Sequence, residues 1–234
     1  MSHPDIDKAL EDLRNGKPVL VFDADGREEE TDLTFASQFV TSDAVRTMRK
    51  DAGGLICVTV PPETSKKLGL PFLADLLWSE GDKIPVLRSL VPNDLPYDEK
   101  SAFGVTINHR RTYTGITDSD RALTISEFAN FSVKSESLDR ESAIEEFGKG
   151  FRSPGHVSLL NVANPILRSR RGHTELCTAL VSMAGLIPSA TVCEMMGDEG
   201  NALPKEDAKR YAEDMNLVFL EGYQVVEAWE EWSE

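Results

Sequence analysis

The sequence predicts an α+β fold, a mixed sheet with surrounding helices, in one domain that spans residues 1–234. Three observations lead to this prediction. Short apolar runs typical of buried strands alternate with segments whose apolar residues recur at helical spacing. The order of these elements does not follow a strict strand–helix–strand period, which favours α+β over a doubly wound α/β sheet. No internal repeat, low-complexity tract or Gly/Ser linker divides the chain.

Several segments have the apolar spacing or the end signals of helices. They cover residues 6–13, 42–51, a segment that opens at 124, and residues 174–184, 205–215 and 223–232. Asn15-Gly16 is a stop signal for the first helix, and Ser42 is a cap for the second. Thr124 and Glu127 have the spacing of a capping box. Pro204 is well placed just before the next predicted helix.

Apolar or β-branched runs bounded by turn residues predict the strands. They cover residues 18–22, 55–60, 103–108, 156–160, 190–193 and 217–220. Residues 71–100 are rich in Pro, Gly, Asp and Asn, so we expect an irregular excursion there. The polar and charged residues 132–150 are expected to form a surface loop or a short helix.

Composition limits the classes of protein to consider. Lys and Arg total 25 against 40 Asp and Glu, and the formal charge of −15 repels phosphate backbones, which argues against nucleic-acid binding. No apolar run approaches the ~18 residues of a membrane span, and no signal peptide is recognisable at the start. The three cysteines have no CxxC spacing, which favours a reduced compartment. We therefore expect a cytoplasmic protein without a membrane or nucleic-acid partner.

The segment from Asp23 to Asp32 has an unusual density of acidic residues. If it runs extended, Glu28, Glu30 and Asp32 fall on one face. Stacked carboxylates repel one another, and a hard divalent cation such as Mg²⁺ or Mn²⁺ would neutralise them through oxygen ligands. A solvated acidic loop in an acidic protein is the alternative.

Arginines are concentrated before the helix predicted from residue 174: Arg168, Arg170 and Arg171 precede Gly172 and His173. The free N–H groups and the dipole of a helix start favour an anion, and arginines strengthen that preference. A phosphate-sized ligand fits this chemistry, and pairing with acidic neighbours is the alternative. His173 adds a metal ligand beside the anion site, but no further Cys or His has the spacing of a zinc finger.

Two other side chains are candidates for acid–base chemistry. His156 follows a Pro-Gly turn at a strand entrance, where a hydrogen-bonded structural His is the alternative. Glu194 ends an apolar strand, where it is either a site residue or the point at which the strand surfaces. The chain lacks GxxxxGK[ST], GxSxG and GxGxxG motifs, so the usual signatures of nucleotide hydrolysis, serine hydrolysis and dinucleotide oxidoreduction are missing. The acidic segment, the arginine-rich anion site and the acid–base candidates suit metal-assisted chemistry on a small phosphorylated substrate.

Six motifs occur in an order and at spacings that resemble the 3,4-dihydroxy-2-butanone 4-phosphate synthase family from about residue 5 to residue 220. They are Asp23-x-x-x-Arg27-Glu28-x-Glu30-x-Asp32, Asp51-Ala-Gly-Gly-Leu-Ile-Cys57, the run from Asn108 to Arg121, Phe151-Arg-Ser-Pro-Gly-His156, Gly172-His-Thr-Glu175 and Cys193-Glu194-x-x-x-Asp198-x-Gly200. One motif alone would be a weak signal. Six in order across nearly the whole chain are highly specific.

The resemblance implies a lyase of riboflavin biosynthesis that converts D-ribulose 5-phosphate into L-3,4-dihydroxy-2-butanone 4-phosphate and formate with Mg²⁺ or Mn²⁺. It also implies an α+β homodimer with its sites near the subunit interface. Some relatives continue into a GTP cyclohydrolase II domain. We expect a monofunctional enzyme without that domain, because the chain ends at Glu234.

Carried over residue by residue, the resemblance assigns Glu28 and His173 as metal ligands. The positions that match substrate-binding residues are Arg27, Glu28, Asp32, Arg170, Arg171, Gly172, His173, Thr174 and Glu194. Arg170 and Thr174 are assigned to the phosphate, whereas Arg171 stands where some relatives have Gly. The positions that match other catalytic residues are Asp23, Glu30, Cys57, His156 and Glu194, with His156 and Glu194 as the expected acid–base pair.

Two other functions use the same groups. A metal-dependent pentose-phosphate isomerase or aldolase would need the same anion site and the same stabilisation of an enediolate. A regulatory module that binds a sugar phosphate or a metal without turnover would need only the binding residues. Release of formate distinguishes both alternatives from the synthase.

Overall fold

The structure, a computed structural model, describes residues 3–91 and 94–233. A mixed seven-stranded sheet forms its centre, with the strand order β4-β5-β3-β6-β2-β1-β7. The strands are β1 Val19–Phe22, β2 Thr31–Ala36, β3 Cys57–Val60, β4 Phe103–His109, β5 Phe151–Asn161, β6 Ala190–Glu194 and β7 Phe219–Glu221. The helices are α1 Pro4–Arg14, α2 Ser42–Thr47, α3 Pro62–Leu68, α4 Leu73–Ser79, α5 Pro85–Arg88, α6 Asp118–Glu136, α7 Arg140–Gly150, α8 His173–Met183, α9 Lys205–Met215 and α10 Gly222–Ser233.

The sheet mixes antiparallel and parallel pairs. β2 pairs antiparallel with β1 and β6, and β3 pairs antiparallel with β6. β1–β7 and β3–β5 are parallel. This mixture confirms the predicted α+β class, because a doubly wound fold would keep its central strands parallel.

Each face of the sheet is covered by a hydrophobic cluster. Residues of α1, α8 and α10 pack on one face, and residues of α2, α6 and α9 pack on the other. Ten of the eleven residues of α8 are buried, because this helix lies between the sheet and other helices. Burial of each large apolar side chain of α8, such as Leu176 or Leu180, contributes about 1.5–3 kcal/mol. The packing therefore fixes the position of the α8 N-terminus.

Most predicted elements are present, but the predicted start of the long helix at Thr124 is wrong. α6 begins at Asp118, and its cap is Thr117, whose hydroxyl accepts a hydrogen bond from the Asp120 N–H. Thr124 is buried inside the helix, where its hydroxyl donates to the Asp120 carbonyl and accepts from the His109 N–H of β4. The long-range bond to β4 explains why a capping residue type occurs in a helix interior.

Residues 71–100, predicted to be irregular, contain two short helices, and residues 132–150, expected to form a surface loop or a short helix, are mostly helical. Residues 71–100 include α4 and α5, and residues 132–150 contain the end of α6 and all of α7. Phe147 of α7 stacks on Phe151 at 5.0 Å between ring centroids and lies 5.1 Å from Phe131 of α6. This aromatic packing holds a largely polar helix on the protein, which local composition does not reveal.

The acidic segment does not run extended as the prediction assumed. β2 begins only at Thr31, and residues 25–28 form a turn. Gly26 and Glu29 have φ values of 79° and 58°, so the chain reverses within the segment. The carboxylates therefore approach one another across a folded loop and not along one face of a strand.

No helix within the described ranges combines the length and the apolar character that crossing a bilayer requires.

Candidate metal and anion site

The candidate site lies where the start of α8 faces the ends of β2 and β6. Asp32 and Glu194 pair in register across these two strands. The side chain of Thr34, two residues from Asp32, contacts Cys177 of α8 at 3.2 Å. Because side chains two residues apart in a strand share a face, Asp32 and Glu194 lie on the face that α8 covers.

Asp23 organises the loop that precedes β2. Its buried carboxylate accepts hydrogen bonds from the backbone N–H groups of Glu28 at 3.0 Å and Glu30 at 3.2 Å. It also accepts a bond from Arg27 Nη1 at 3.0 Å, and the Asp23 N–H donates to the Glu30 carbonyl. These bonds close the loop at its base and fix the backbone positions of Glu28 and Glu30.

Glu28 and His173, the two predicted metal ligands, lie in contact although they are 145 residues apart in the chain. Glu28 Oε2 is 3.2 Å from His173 Nδ1. His173 Nε2 donates to the Glu30 carbonyl at 3.1 Å and lies 3.7 Å from Asp32 Oδ1. A second hydrogen bond that fixes the ring orientation is typical of histidines that bind metals.

The proximity of these groups shifts their pKa values. Burial alone would lower the pKa of His173, but Asp32 and Glu28 raise it to about 9. Burial opposes ionisation of Glu28, yet His173 and Arg27 lower its pKa to about 2. Burial and the neighbouring carboxylates raise the pKa of Asp32 to about 7, although His173 acts in the opposite direction. The surrounding carboxylates thus favour the protonated form of the His173 imidazole when no other cation is bound.

The donor set fits a divalent cation. Asp23, Glu28 and His173 each offer a ligand atom within 4.8 Å of the others. Oδ1 of Asp32 is buried and has no hydrogen-bond partner among the described residues. Carboxylate oxygens with one imidazole suit hard or borderline ions such as Mg²⁺ and Mn²⁺. Buried polar atoms usually have a hydrogen-bond partner. This oxygen without one therefore supports a cation site independently of the excess of acidic residues.

Glu194 occupies its position because Gly54 has no side chain. Its Oε2 accepts a hydrogen bond from the Leu55 N–H at 2.7 Å, and its carbonyl accepts from the Gly54 N–H. A Cβ at Gly54 would lie 2.4 Å from Oε2 and 2.6 Å from that carbonyl oxygen. Burial raises the pKa of Glu30, and the charges of Glu28 and Glu194 add to the shift. The Glu30 carboxylate therefore interacts electrostatically with both of these carboxylates.

The anion side of the site is built around Gly172, which caps α8. A Cβ there would lie 2.6 Å from Arg27 Nη2 and 2.8 Å from Arg170 Nη1, so both guanidiniums lie against the helix start. Arg170 also pairs with the buried Glu175 at 2.8 Å. Glu175 in turn accepts hydrogen bonds from the N–H groups of Gly172 and Ala163. Burial raises the pKa of Glu175, although Arg170 opposes the shift.

Asp98 bridges the two arginines. Its Oδ2 lies 2.6 Å from Arg27 Nη2, and accepts from Arg170 Nε at 2.9 Å. Arg170 Nη2 lies 2.8 Å from the same oxygen. Tyr97, the preceding residue, places its ring 5.3 Å from the Arg27 guanidinium carbon. Sequence reasoning missed Asp98, because it lies within residues 71–100, where no motif points to it.

Two predicted substrate residues have contrasting environments. Thr174 is buried in the first turn of α8, next to His173. Arg171 points elsewhere: it donates to the Leu167 carbonyl at 3.2 Å and lies 3.7 Å from Glu230 of α10, with both side chains exposed. Within the described residues, Arg171 does not share the contacts that join Arg27, Arg170 and Asp98.

Cys57 lies beneath the carboxylates, on the sheet face that α8 covers. It is 2% exposed and belongs to the same core cluster as Leu176. Burial raises the pKa of its thiol well above the usual value, and Glu194 and Asp32 add to the shift. This direction favours the neutral thiol over the thiolate that nucleophilic chemistry requires.

His156 and Glu194, the expected acid–base pair, do not touch within one chain. His156 is exposed, and its ring Nδ1 lies 3.1 Å from Asn108 Nδ2. Cys57 of β3 pairs with Ser158 on one side and Val192 on the other. His156 and Glu194 each lie two residues from these positions, in the same direction along β3. The two residues are therefore level with each other on either side of β3, two strand spacings or roughly 10 Å apart.

The fold and the site define a class of α+β proteins in which a carboxylate–histidine cluster adjoins an arginine-lined anion site. The chain belongs to the 3,4-dihydroxy-2-butanone 4-phosphate synthase family, whose family model matches residues 7–228. This confirms the family predicted from the six motifs.

Relatives and solved structures agree with this assignment. The 3,4-dihydroxy-2-butanone 4-phosphate synthase of Methanothermobacter thermautotrophicus is 50% identical over 228 residues, which cover 97% of this chain and 96% of that protein. The protein of the same description from Archaeoglobus fulgidus is 43% identical over 98% of this chain and 96% of its own length. A solved structure of a 3,4-dihydroxy-2-butanone 4-phosphate synthase in complex with two magnesium ions matches with a TM-score of 0.75 at 26% identity, covering 97% of this chain and 96% of that one.

Proposed function

We propose that this protein is a lyase of riboflavin biosynthesis that converts D-ribulose 5-phosphate into L-3,4-dihydroxy-2-butanone 4-phosphate and formate. The observation that carries the proposal is the position of the Glu28–His173 cluster directly beside the Arg27–Arg170 pair at the start of one helix. A phosphorylated sugar needs both halves, one for its phosphate and one for the oxygens at the reacting carbons. Membership of the synthase family supports this choice of reaction.

Glu28 and His173 are proposed to hold Mg²⁺ or Mn²⁺, with Asp23 and Asp32 within reach of the same space. A bound cation of this kind would stabilise the negative charge that develops on the substrate when a proton leaves the carbon next to the ketone. Binding of the ion would also displace the proton from His173, because only a neutral imidazole is a ligand.

The substrate phosphate is proposed to bind Arg27, Arg170 and the start of α8. The N–H groups in the first turn of a helix lack partners within the helix, and the dipole adds a positive potential there. Arg170 is held in place by Glu175, so its guanidinium needs little ordering when an anion arrives. Thr174, in the same turn, is proposed to bind a phosphate oxygen through its hydroxyl.

Proton transfers are assigned to the carboxylates on the other side of the cluster. Asp32, Glu30 and Glu194 surround His173 at different depths, and burial raises the pKa values of Asp32 and Glu30. Groups with separated pKa values can act as acid and base in the same site. A reaction that removes a proton, expels water, rearranges the skeleton and releases formate needs several such groups.

We propose that the protein acts as a homodimer in which His156 completes a site near the interface. His156 is exposed on β5, level with Glu194 at the end of β6, and it has no contact with Glu194 within its own chain. Apolar side chains are exposed in the same part of the molecule, among them Leu55, Met196 and Ile116. Sedimentation analysis that gives a monomer at concentrations where the enzyme is fully active would contradict this proposal.

We also propose a cytoplasmic location. The three cysteines Cys57, Cys177 and Cys193 are free and buried, as expected of a chain that folds in a reducing compartment.

The decisive experiment is a formate assay with D-ribulose 5-phosphate, with Mg²⁺ or Mn²⁺ and with a chelator. We expect one formate for each substrate molecule consumed, and loss of activity when the metal is removed. An aldose–ketose mixture without formate would indicate the isomerase or aldolase instead. Substrate binding without any turnover would indicate a regulatory module.

A further inference from the structure

We propose that Asp98 is an internal counter-anion, which occupies the phosphate position between Arg27 and Arg170 and must be displaced before a phosphorylated substrate can bind. This inference rests on the proposed function for the identity of the substrate, but not for its test. It assigns to Asp98 a role in setting the affinity of the anion site, which neither the motifs nor the family name assigns.

The first argument is geometric. A single oxygen, Asp98 Oδ2, contacts Arg27 Nη2, Arg170 Nε and Arg170 Nη2 at 2.6 to 2.9 Å. A phosphate oxygen between two guanidiniums would make the same set of contacts. An Asp98 that stays in place therefore excludes a phosphate from these donors, because one position cannot hold two anions.

The second argument concerns charge. The Arg27 and Arg170 side chains are 12% and 16% exposed, and both guanidiniums lie against Gly172. Two cations held together at the positive end of a helix repel each other unless an anion lies between them. Arg170 has Glu175 as a second partner, and Arg27 has Asp23 and Glu28. Among the residues that the structure describes, only Asp98 pairs with both arginines.

The third argument is the way in which Asp98 is held. Residues 94–100 lie outside the helices and strands, whereas Arg27 and Arg170 are fixed by Asp23 and Glu175. Tyr97 lies over Arg27 on the same short segment. The carboxylate can therefore leave by a movement of its own segment, while the guanidiniums keep the arrangement that receives the ligand.

An internal competitor lowers the apparent affinity of a ligand by the fraction of molecules in which the site is open. The expected consequence is a site that rejects weakly bound anions and admits a dianion tethered to a sugar that also engages the carboxylate–histidine side. Removal of the Asp98 charge is expected to tighten binding of a free anion by about tenfold, a typical coupling for a charge-assisted contact.

The test uses inorganic phosphate as the probe and calorimetric titration of the full chain with chelator present. Asp98→Asn keeps the size of the side chain and removes its charge, and Asp98→Ala removes the contact altogether. Glu99→Gln is the matched control, because it removes one charge from the exposed neighbouring residue. We expect the two Asp98 variants to bind phosphate about tenfold more tightly than Glu99→Gln does, because their anion site is open.

A parallel measurement guards against misfolding. The melting temperature of Asp98→Asn without phosphate should fall, because two guanidiniums lose a shared partner, and added phosphate should raise it more than it raises that of the wild type. Equal or weaker phosphate binding by Asp98→Asn, relative to Glu99→Gln, would overturn the proposal. Because the titration needs no turnover, absence of formate would count against the proposed function and leave this result standing.

Discussion

The carboxylates around His173 and the guanidiniums beside Gly172 share one site, but folding satisfies their charges differently. Arg27 and Arg170 have carboxylate partners on every side: Asp23, Glu28, Asp98 and Glu175. On the other side, the carboxylates of Glu30, Asp32 and Glu194 lie around a single imidazole, and a buried oxygen of Asp32 has no hydrogen-bond partner among the described residues. Both guanidiniums on the anion side are already paired with carboxylates, whereas the carboxylate side is short of a cation.

This difference indicates how each half responds to its ligand. On the anion side, a ligand must replace a carboxylate that already pairs with the arginines. The free energy of binding is therefore reduced by the loss of those ion pairs. The carboxylate side gains a charge that its fold lacks, so a divalent cation should stabilise the protein as well as bind to it. The predictions below test this contrast, from the largest expected effect to the smallest.

Replacement of Glu28 should have the largest effect. Glu28→Gln keeps the shape of the side chain but removes the charge that faces His173, so we expect formate production to fall by about a thousandfold or more because a metal ligand is lost. Glu29→Gln is the control. It is the same substitution at the adjacent glutamate, which is exposed. A Glu28→Gln enzyme with more than a tenth of wild-type activity would contradict the assignment.

Replacement of Gly172 should damage the anion side. The methyl group of Gly172→Ala would lie within 2.8 Å of both guanidiniums, so we expect KM for the phosphorylated substrate to rise by about 10- to 100-fold, with a smaller change in kcat. Gly148→Ala is the control, because a Cβ in that part of α7 meets nothing within 4 Å. An unchanged KM in Gly172→Ala would show that substrate binding does not depend on the close approach of the two guanidiniums to Gly172.

The stability of the metal-free protein should depend on pH through the carboxylate side. The pKa of His173 is raised from 6.5 to about 9 and that of Asp32 from 3.8 to about 7. Groups with raised pKa values stabilise the fold below their unfolded-state pKa and lose that contribution as pH rises through the folded-state value. The Asp32 contribution is therefore lost between about pH 4 and pH 7, and the His173 contribution between about pH 6.5 and pH 9. Thermal melts with chelator should show stability that falls across both windows, up to about pH 9.

Addition of Mg²⁺ should reverse this trend. A metal ion binds the deprotonated ligands, so the Mg²⁺-induced rise in melting temperature should be larger at about pH 9 than at about pH 6. Glu28→Gln should abolish most of the rise, whereas Glu29→Gln should retain it. A rise that does not depend on pH or on Glu28 would place the ion elsewhere.

Replacement of Arg171 should have the smallest effect. Its side chain is 61% exposed and pairs loosely with Glu230, away from Arg27 and Arg170. We expect Arg171→Ala to change stability by less than about 0.5 kcal/mol, since exposed ion pairs contribute little, and KM by less than about threefold. Arg170→Ala, measured alongside, should raise KM by at least about 100-fold. Equal effects in the two variants would return Arg171 to the binding site.

How much could be predicted from the sequence is clearest in the acidic segment and around Asp98. The motif with Asp23, Glu28 and Asp32 was identified, but its extended conformation was wrong, because Gly26 and Glu29 reverse the chain and the Asp23 carboxylate caps the loop from within. Asp98 could not be predicted, because no local pattern marks it. It is a candidate through its contacts with Arg27 and Arg170, which are 71 and 72 residues away in the chain.

The sequence by itself determined the α+β class, most of the helices and strands, the family and the two segments that carry the site. These follow from local periodicity and from residue types at fixed spacing, which a linear pattern contains in full. Only the tertiary structure decided that Glu28 meets His173, that Gly54 and Gly172 leave room for Glu194 and the guanidiniums, that Arg171 points away, and that a carboxylate lies between the two arginines. Those outcomes depend on contacts between distant residues, and on which charges burial leaves without a partner.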